Sequence, residues 1–169
     1  SQLVKAKDNF KRLGYFDNIK TIQDDFLNFK PHEGQKIDKI LLDAPCSGLG
    51  VLKKHPEGKQ HKKAGLILKM AEKQKELISH ALSLLSTGGE LIYSVCSFES
   101  EETQDHLTWI KASFGDKIEI VNPAERITDY YRRLVTKEKV FLVFSGYKEA
   151  MDGFGAFILR KTKEEEAAS

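Results

Sequence analysis

The sequence is short of cysteine, of long apolar runs and of net charge, and each shortage excludes something. Only two cysteines, Cys46 and Cys96, occur in 169 residues, too few for the disulfide framework of a small secreted domain. No apolar run approaches the roughly 20 residues that cross a bilayer. The amino terminus lacks the charged-then-apolar order of a secretory signal, so the expected location is cytoplasmic, with no membrane partner. A formal net charge of +2 does not by itself imply nucleic acid, which leaves local clusters of lysine and arginine to carry any such reading. His55 and His61 lie in a lysine-rich stretch with no cysteine or carboxylate at ligand spacing, so no metal is expected.

What is present suits one folded unit. With 40% hydrophobic and 31% charged residues, the chain can build a core. The domain is expected over residues 1–161, followed by a charged, disordered tail at 162–169. The chain begins at Ser1, and its first residues already read as the middle of a helix. It is expected to be a fragment.

Apolar residues from Leu3 to Leu13 recur at helical spacing, and Gly14 follows where a helix would stop. A short strand is predicted at Ile19 to Gln23, a loop at Lys30 to Gln35, and a buried strand at Ile37 to Asp43. Ala64 to Leu85 is amphipathic and reads as a helix ended by Gly88 and Gly89. Leu91 to Val95 is a second apolar strand. A helix over Glu99 to Phe114 follows, capped by Ser97 or Ser100. Further strands are predicted at Ile118 to Val121, Lys139 to Ser145 and Ala156 to Arg160, the last two as a hairpin. The order is that of an α/β fold.

The chemistry-bearing residues sit at two strand ends. Asp43-Ala44-Pro45-Cys46-Ser47-Gly48 follows one apolar strand, and Ser94-Val95-Cys96-Ser97 ends the next. Ligands of open α/β sheets lie at the carboxyl ends of strands. If the two strands are neighbours joined by a helical crossover, Asp43 and both thiols converge on one cleft. Free cysteine is commonly a small buried hydrophobe, but two cysteines, each just past an apolar strand, point to nucleophilic catalysis.

These residues resemble a known family. Leu41-Leu42-Asp43-Ala44-Pro45-Cys46-Ser47-Gly48-Leu49-Gly50-Val51 with His55-Pro56 is similar to motif IV of the RsmB/Nop2/NSUN RNA (cytosine-5)-methyltransferases. Gly88-Gly89-Glu90-Leu91-Ile92-Tyr93-Ser94-Val95-Cys96-Ser97 with Glu101-Glu102 resembles their motif VI. Asn9-Phe10-Lys11-Arg12-Leu13-Gly14 and Asp152-Gly153-Phe154 extend the likeness to nearly the whole chain up to Lys161.

The resemblance implies a partial Rossmann-like class I fold that uses S-adenosylmethionine and acts on RNA, with 16S ribosomal RNA the expected substrate. It implies that Cys96 adds to C6 of cytosine, that Cys46 helps release the product, and that Asp43 contacts the base near N3 and also the cofactor. Asp25, or alternatively Asp24, would meet the cofactor's adenine amino group. The basic cluster of Lys53, Lys54, Lys62 and Lys63, with Lys59, His55 and His61, would contact RNA phosphates. Arg132 and Arg133 beside Tyr130 and Tyr131 could add stacking.

The sequence departs from the family pattern in three places. The glycine-rich cofactor loop and the ribose-binding acid would precede Ser1, so the first two strands of the family order 3-2-1-4-5-7-6 are missing. Exposed strand edges tend to pair with other chains, so either the first helix and strand are misplaced or the chain self-associates. Gly58-Lys59-Gln60-His61 replaces a tryptophan-bearing segment, and Thr103 stands where asparagine is usual. An amino-methyltransferase is the rival within enzymes, since Asp43-Ala44-Pro45-Cys46 occupies the slot of an Asp-Pro-Pro-Tyr motif. The absent second proline and aromatic weigh against it. The DNA cytosine methyltransferases carry their nucleophile in the earlier motif, at Cys46. The rival outside enzymes is a non-catalytic RNA-binding or assembly module. The fragment alone is expected to be inactive.

Overall fold

A computed structural model of the chain describes residues 2–33, 35, 37–54, 56, 65–144 and 151–163. The chain divides into two units, residues 1–30 and 31–169. In the first, α1 spans Gln2–Arg12. It ends as its spacing predicts, with Gly14 at φ 75° and the amide of Tyr15 bonded to the carbonyl of Phe10.

The predicted strand at 19–23 does not form. Ile19 and Ile22 are 37% and 53% exposed, and single turns of 3-10 helix at Phe16–Asn18 and Phe26–Asn28 flank them. A strand needs a neighbour to take its backbone hydrogen bonds, and among the described residues none pairs with this segment.

Among the described residues the second unit is built on a five-stranded mixed sheet. Its strands are β1 (Ile37–Asp43), β2 (Leu85–Val95), β3 (Ile118–Val121), β4 (Phe141–Val143) and β5 (Phe154–Lys161). β1 and β2 run parallel, and the connection between them contains α2 (Gly65–Leu84). The buried residues of α2, Ala71, Gln74, Leu77, Ile78, Ala81 and Leu82, repeat every three or four positions and so form one face.

The glycine pair does not end that helix. α2 stops at Leu84 and runs directly into β2, with Gly88 and Gly89 inside the strand. The pairing with β1 shifts register between Ile37 and Lys39. Gly88 takes φ 84°, and a Cβ on Gly89 would lie 2.8 Å from the Ser86 carbonyl oxygen. Backbone freedom here serves a kink in the strand.

β5 carries most of the sheet's order. It pairs antiparallel with β2 on one side and with β3 on the other, while its first residues also pair antiparallel with β4. The order β1-β2-β5-β3 matches the 4-5-7-6 portion of the implied family sheet, and the predicted β4–β5 pairing is present. Phe157 stacks on Tyr93, ring centroids 4.5 Å apart, and both are fully buried.

The helix predicted over 99–114 is broken at its start. Ser100–Glu102 is a 3-10 turn, Thr103 takes φ −135° and ψ −94°, and α3 spans only Gln104–Phe114. Neither predicted serine caps α3. The Ser97 hydroxyl accepts from the Glu99 amide and the Ser100 hydroxyl donates to Glu101. A short helix α4, Asp129–Arg132, lies between β3 and β4. Among the described residues no helix is long and apolar enough to cross a membrane.

Candidate active site

The carboxyl ends of β1 and β2 are neighbours, with Asp43 in register with Ser94. The Ser94 hydroxyl donates to Asp43 Oδ1 at 3.1 Å. The loop leaving β1 is tied at both ends to β2 and the residue after it. The Ala44 amide donates to the Ser94 carbonyl at 2.9 Å and the Gly50 amide to the Cys96 carbonyl at 3.0 Å. Gly50 must be glycine, because an added Cβ would fall 2.0 Å from the Gly153 carbonyl oxygen.

Within this frame the Sγ atoms of Cys46 and Cys96 approach to 3.0 Å, and both thiols are free. At that distance one sulfur carries a proton toward the other. Donation from Cys46 pulls the Cys96 thiol down from 9.0 to about 7, against opposition from burial and from the Asp43 and Glu102 carboxylates. Cys46 is pushed up, first by that same hydrogen bond and then by its deeper burial. The arrangement favours a thiolate at Cys96, the less buried sulfur, beside a protonated Cys46.

Behind the thiols lies a buried polar relay that pattern reasoning missed. Glu102 is fully buried. Its Oε1 accepts from the Ser47 amide at 2.7 Å and from Gln74 Nε2 at 3.0 Å, and its Oε2 accepts from the Ser47 hydroxyl at 2.6 Å. Gln74 Nε2 also donates to the Pro45 carbonyl at 2.9 Å. Both amide protons of Gln74 are thereby used, so its oxygen accepts from His106 Nε2 at 2.8 Å. Burial holds His106 down at about 4, with Lys75 adding to the effect, so its ring is neutral and Nδ1 bears no proton. Nδ1 is buried without a hydrogen-bond partner among the described residues. The sequence signals for this relay were Glu102 in the segment resembling motif VI and a glutamine in the apolar face of a helix.

The remaining predicted residues are distributed as follows. Asp25 belongs to the first unit, where its Oδ1 caps the amide of Leu27 at 3.0 Å while Asp24 Oδ1 accepts from the Asp25 amide. Both carboxylates line a cavity of about 320 Å³ with Lys20, Ile22, Phe26 and Phe29. Lys53 is exposed, and Lys54 pairs with Asp152 at 2.5 Å. Lys62 and Lys63, with His55, Lys59 and His61, lie outside the described residues. Arg133 lies over the Tyr130 ring at 4.6 Å, whereas Arg132 is bonded to Asp129 and to the Ala124 carbonyl. Among the described residues no group of three or more histidines, cysteines and carboxylates is placed to hold a metal.

The family model "16S rRNA methyltransferase RsmB/F" matches residues 1–154. The chain belongs to this family. Among RsmB/F relatives, it is 38% identical over 125 residues to ribosomal RNA small subunit methyltransferase F of Pectobacterium carotovorum, covering 74% of this chain and 25% of that protein. It is 35% identical over 129 residues to the enzyme of the same name from Salmonella paratyphi A, covering 76% and 26%. The chain thus spans about a quarter of the curated relatives it matches. Among solved structures it superposes on NSun6 from Pyrococcus horikoshii, crystallised with SFG, at a TM-score of 0.76 and 30% identity, over 96% of this chain and 39% of that one. A methyltransferase homologue from the same organism gives 0.70 and 26%, over 94% and 50%. The RsmB/F chain is therefore an α/β portion of a Rossmann-like methyltransferase fold.

Proposed function

We propose that the protein carrying this chain methylates C5 of a cytosine in RNA, with 16S ribosomal RNA as the substrate the family name suggests. The observation that carries this reading is the free Cys46–Cys96 pair, 3.0 Å apart at adjoining strand ends. C5 of cytosine is a poor nucleophile until a group adds at C6. The Cys96 thiolate forms an S–C6 bond, which pushes the C5–C6 π electrons onto C5. Asp43 hydrogen-bonds the base near N3 and the exocyclic amine, holding it against the sulfur. S-adenosylmethionine, when bound, would supply the electrophilic methyl group to C5, the C5–CH3 bond forming as the methyl–sulfur bond breaks and S-adenosylhomocysteine leaves. Cys46 then assists removal of the C5 proton. The electrons restore the C5–C6 double bond as the S–C6 bond breaks, and the Cys96 thiolate is released.

Two features of the chain fit the cofactor. The cavity beside Asp25 combines a carboxylate, which can accept from an adenine amino group, with the apolar Ile22, Phe26 and Phe29. Asp43 offers a second carboxylate at a strand end. The relative crystallised with SFG, an S-adenosylmethionine analogue, supports the same assignment. Lys53, Lys54, Lys62 and Lys63 are the proposed phosphate contacts, and the cytoplasm is the proposed location.

The 169 residues alone are proposed to be inactive. Residues 19–23 are not in a strand, and the carboxylates of Asp24 and Asp25 that would meet the cofactor's adenine are exposed. That observation also favours a second reading, in which the isolated chain binds RNA without methyl transfer.

The test uses RNA containing 5-fluorocytosine, S-adenosylmethionine and a full-length methyltransferase carrying this chain. A covalent protein–RNA band is expected, and it should vanish in Cys96→Ala. Trapping that survives Cys96→Ala, or that maps to Cys46, overturns the assignment.

A further inference from the structure

Cys46 sits in a loop whose two ends are fixed by backbone hydrogen bonds from Ala44 and Gly50 to Ser94 and Cys96. Between those anchors the backbone is held by side chains. The Pro45 carbonyl, just before Cys46, accepts from Gln74. The Ser47 amide and hydroxyl, just after it, both donate to Glu102. Gln74 and Glu102 are bonded to each other, so one connected pair grips the chain on either side of the thiol. Glu102 is anchored in turn, since its carbonyl accepts from the Tyr93 hydroxyl at 3.0 Å. A carboxylate is costly to bury unless donors satisfy it, and two of the three donors to Glu102 come from the residue next to Cys46.

We propose that Glu102 is a positioning residue for the thiol pair: through Ser47 it holds Cys46 at the separation from Cys96 at which one thiol donates to the other. Its geometry and its charge have opposite effects on Cys96. The negative charge disfavours a thiolate nearby, whereas the held loop favours one by presenting the Cys46 proton. The titratable groups facing the pair are Asp43 from β1, Tyr93 from β2 and Glu102 from the turn before α3. The inference rests on Cys96 being the nucleophile. Failure of that assignment appears as persistent RNA trapping, and failure of this one appears in thiol reactivity without RNA.

The experiment measures iodoacetamide alkylation of Cys96 in the full chain by peptide mass spectrometry between pH 5 and 10, with circular dichroism to confirm folding. Glu102→Ala should slow alkylation at pH 7 by about tenfold, because the thiolate fraction falls as the thiol returns toward its ordinary range. Glu102→Gln keeps acceptors for the Ser47 amide and Gln74 while removing the charge, so it should react at least as fast as the parent. A purely electrostatic role predicts the reverse for Glu102→Ala, namely faster alkylation. Ser47→Ala, which removes one of the hydrogen bonds to Glu102, should slow alkylation less than Glu102→Ala. A Ser47→Ala profile that superimposes on the parent overturns the proposal even if Glu102→Ala fails to fold.

Discussion

Cys46 and Cys96 are separated by 50 positions in sequence, and their sulfurs are 3.0 Å apart. Parallel pairing of β1 and β2 brings the two strand ends together, and the polar relay through Glu102 places the thiols. The reactivity of each sulfur therefore depends on the other.

Replacing Cys46 by alanine removes the donor that favours the Cys96 thiolate. Burial and the Asp43 and Glu102 carboxylates all act in the opposite sense. The midpoint of Cys96 alkylation should therefore move upward from about 7, toward or beyond the ordinary thiol value. A pH series of iodoacetamide rates checks it, and an unchanged midpoint would show that the sulfurs do not communicate.

His106 should give the protein an acid-sensitive stability. Its folded value is depressed from 6.5 to about 4, so between those values the unfolded state binds more protons. Stability is then complete above about pH 6.5 and falls as pH drops to about 4. At ~1.36 kcal/mol per unit, the loss approaches about 3 kcal/mol. Urea denaturation at stepped pH measures it. His106→Gln should be less stable at pH 7 and should flatten the slope in that window.

Gly50→Ala tests the fit between the loop that carries Cys46 and the turn before β5. The new Cβ would meet the Gly153 carbonyl oxygen at 2.0 Å and the Cys96 carbonyl oxygen at 2.9 Å, both backbone atoms. A destabilisation of about 3 kcal/mol is expected, read from thermal or urea melts. Gly65→Ala, where the added methyl meets none of the described residues within 4 Å, should be neutral or slightly stabilising.

The edge of β1 is the proposed route to self-association. Among the described residues β1 pairs with β2 alone, and Leu41 is 71% exposed next to its register partner Ile92 at 39%. A strand with an unpaired edge and an apolar face recruits other strands. Sedimentation should show species larger than the 19.2 kDa monomer, and Leu41→Lys should shift them toward monomer. A monomer at all concentrations would remove this proposal.

RNA affinity should fall steeply with salt if the lysine cluster touches phosphates. Reversing Lys53, Lys54, Lys62 and Lys63 to glutamate should weaken binding for all sequences alike, and the salt slope should become shallower by about one for each phosphate no longer neutralised. Fluorescence anisotropy with labelled RNA at several salt concentrations reads both effects. An unchanged slope would place the RNA elsewhere.

Much of the fold was legible because burial leaves a local pattern. The strands at Ile37–Asp43 and Ile118–Val121 occupy their predicted spans, and α2 and α1 follow their apolar spacing. The segment at 19–23 failed because apolar content alone does not supply a pairing partner. The helix at 99–114 is broken at Thr103, and the Glu102 side chain points into the core to meet Ser47 and Gln74. Spacing along one helix could not register those partners, which lie 55 and 28 positions away.

The sequence by itself determined the family and the candidates for its chemistry: Asp43, Cys46 and Cys96 at the ends of two apolar strands, within motifs specific enough to name that family. Periodicity and strand-end placement are short-range properties, and a linear reading captures them. Only the tertiary structure decided how Cys46 is held. The groups that grip it come from α2 and from the turn before α3, and no sequence spacing joins them. A buried carboxylate is stable only when its donors converge on it, so its role could be read only once those donors were in place.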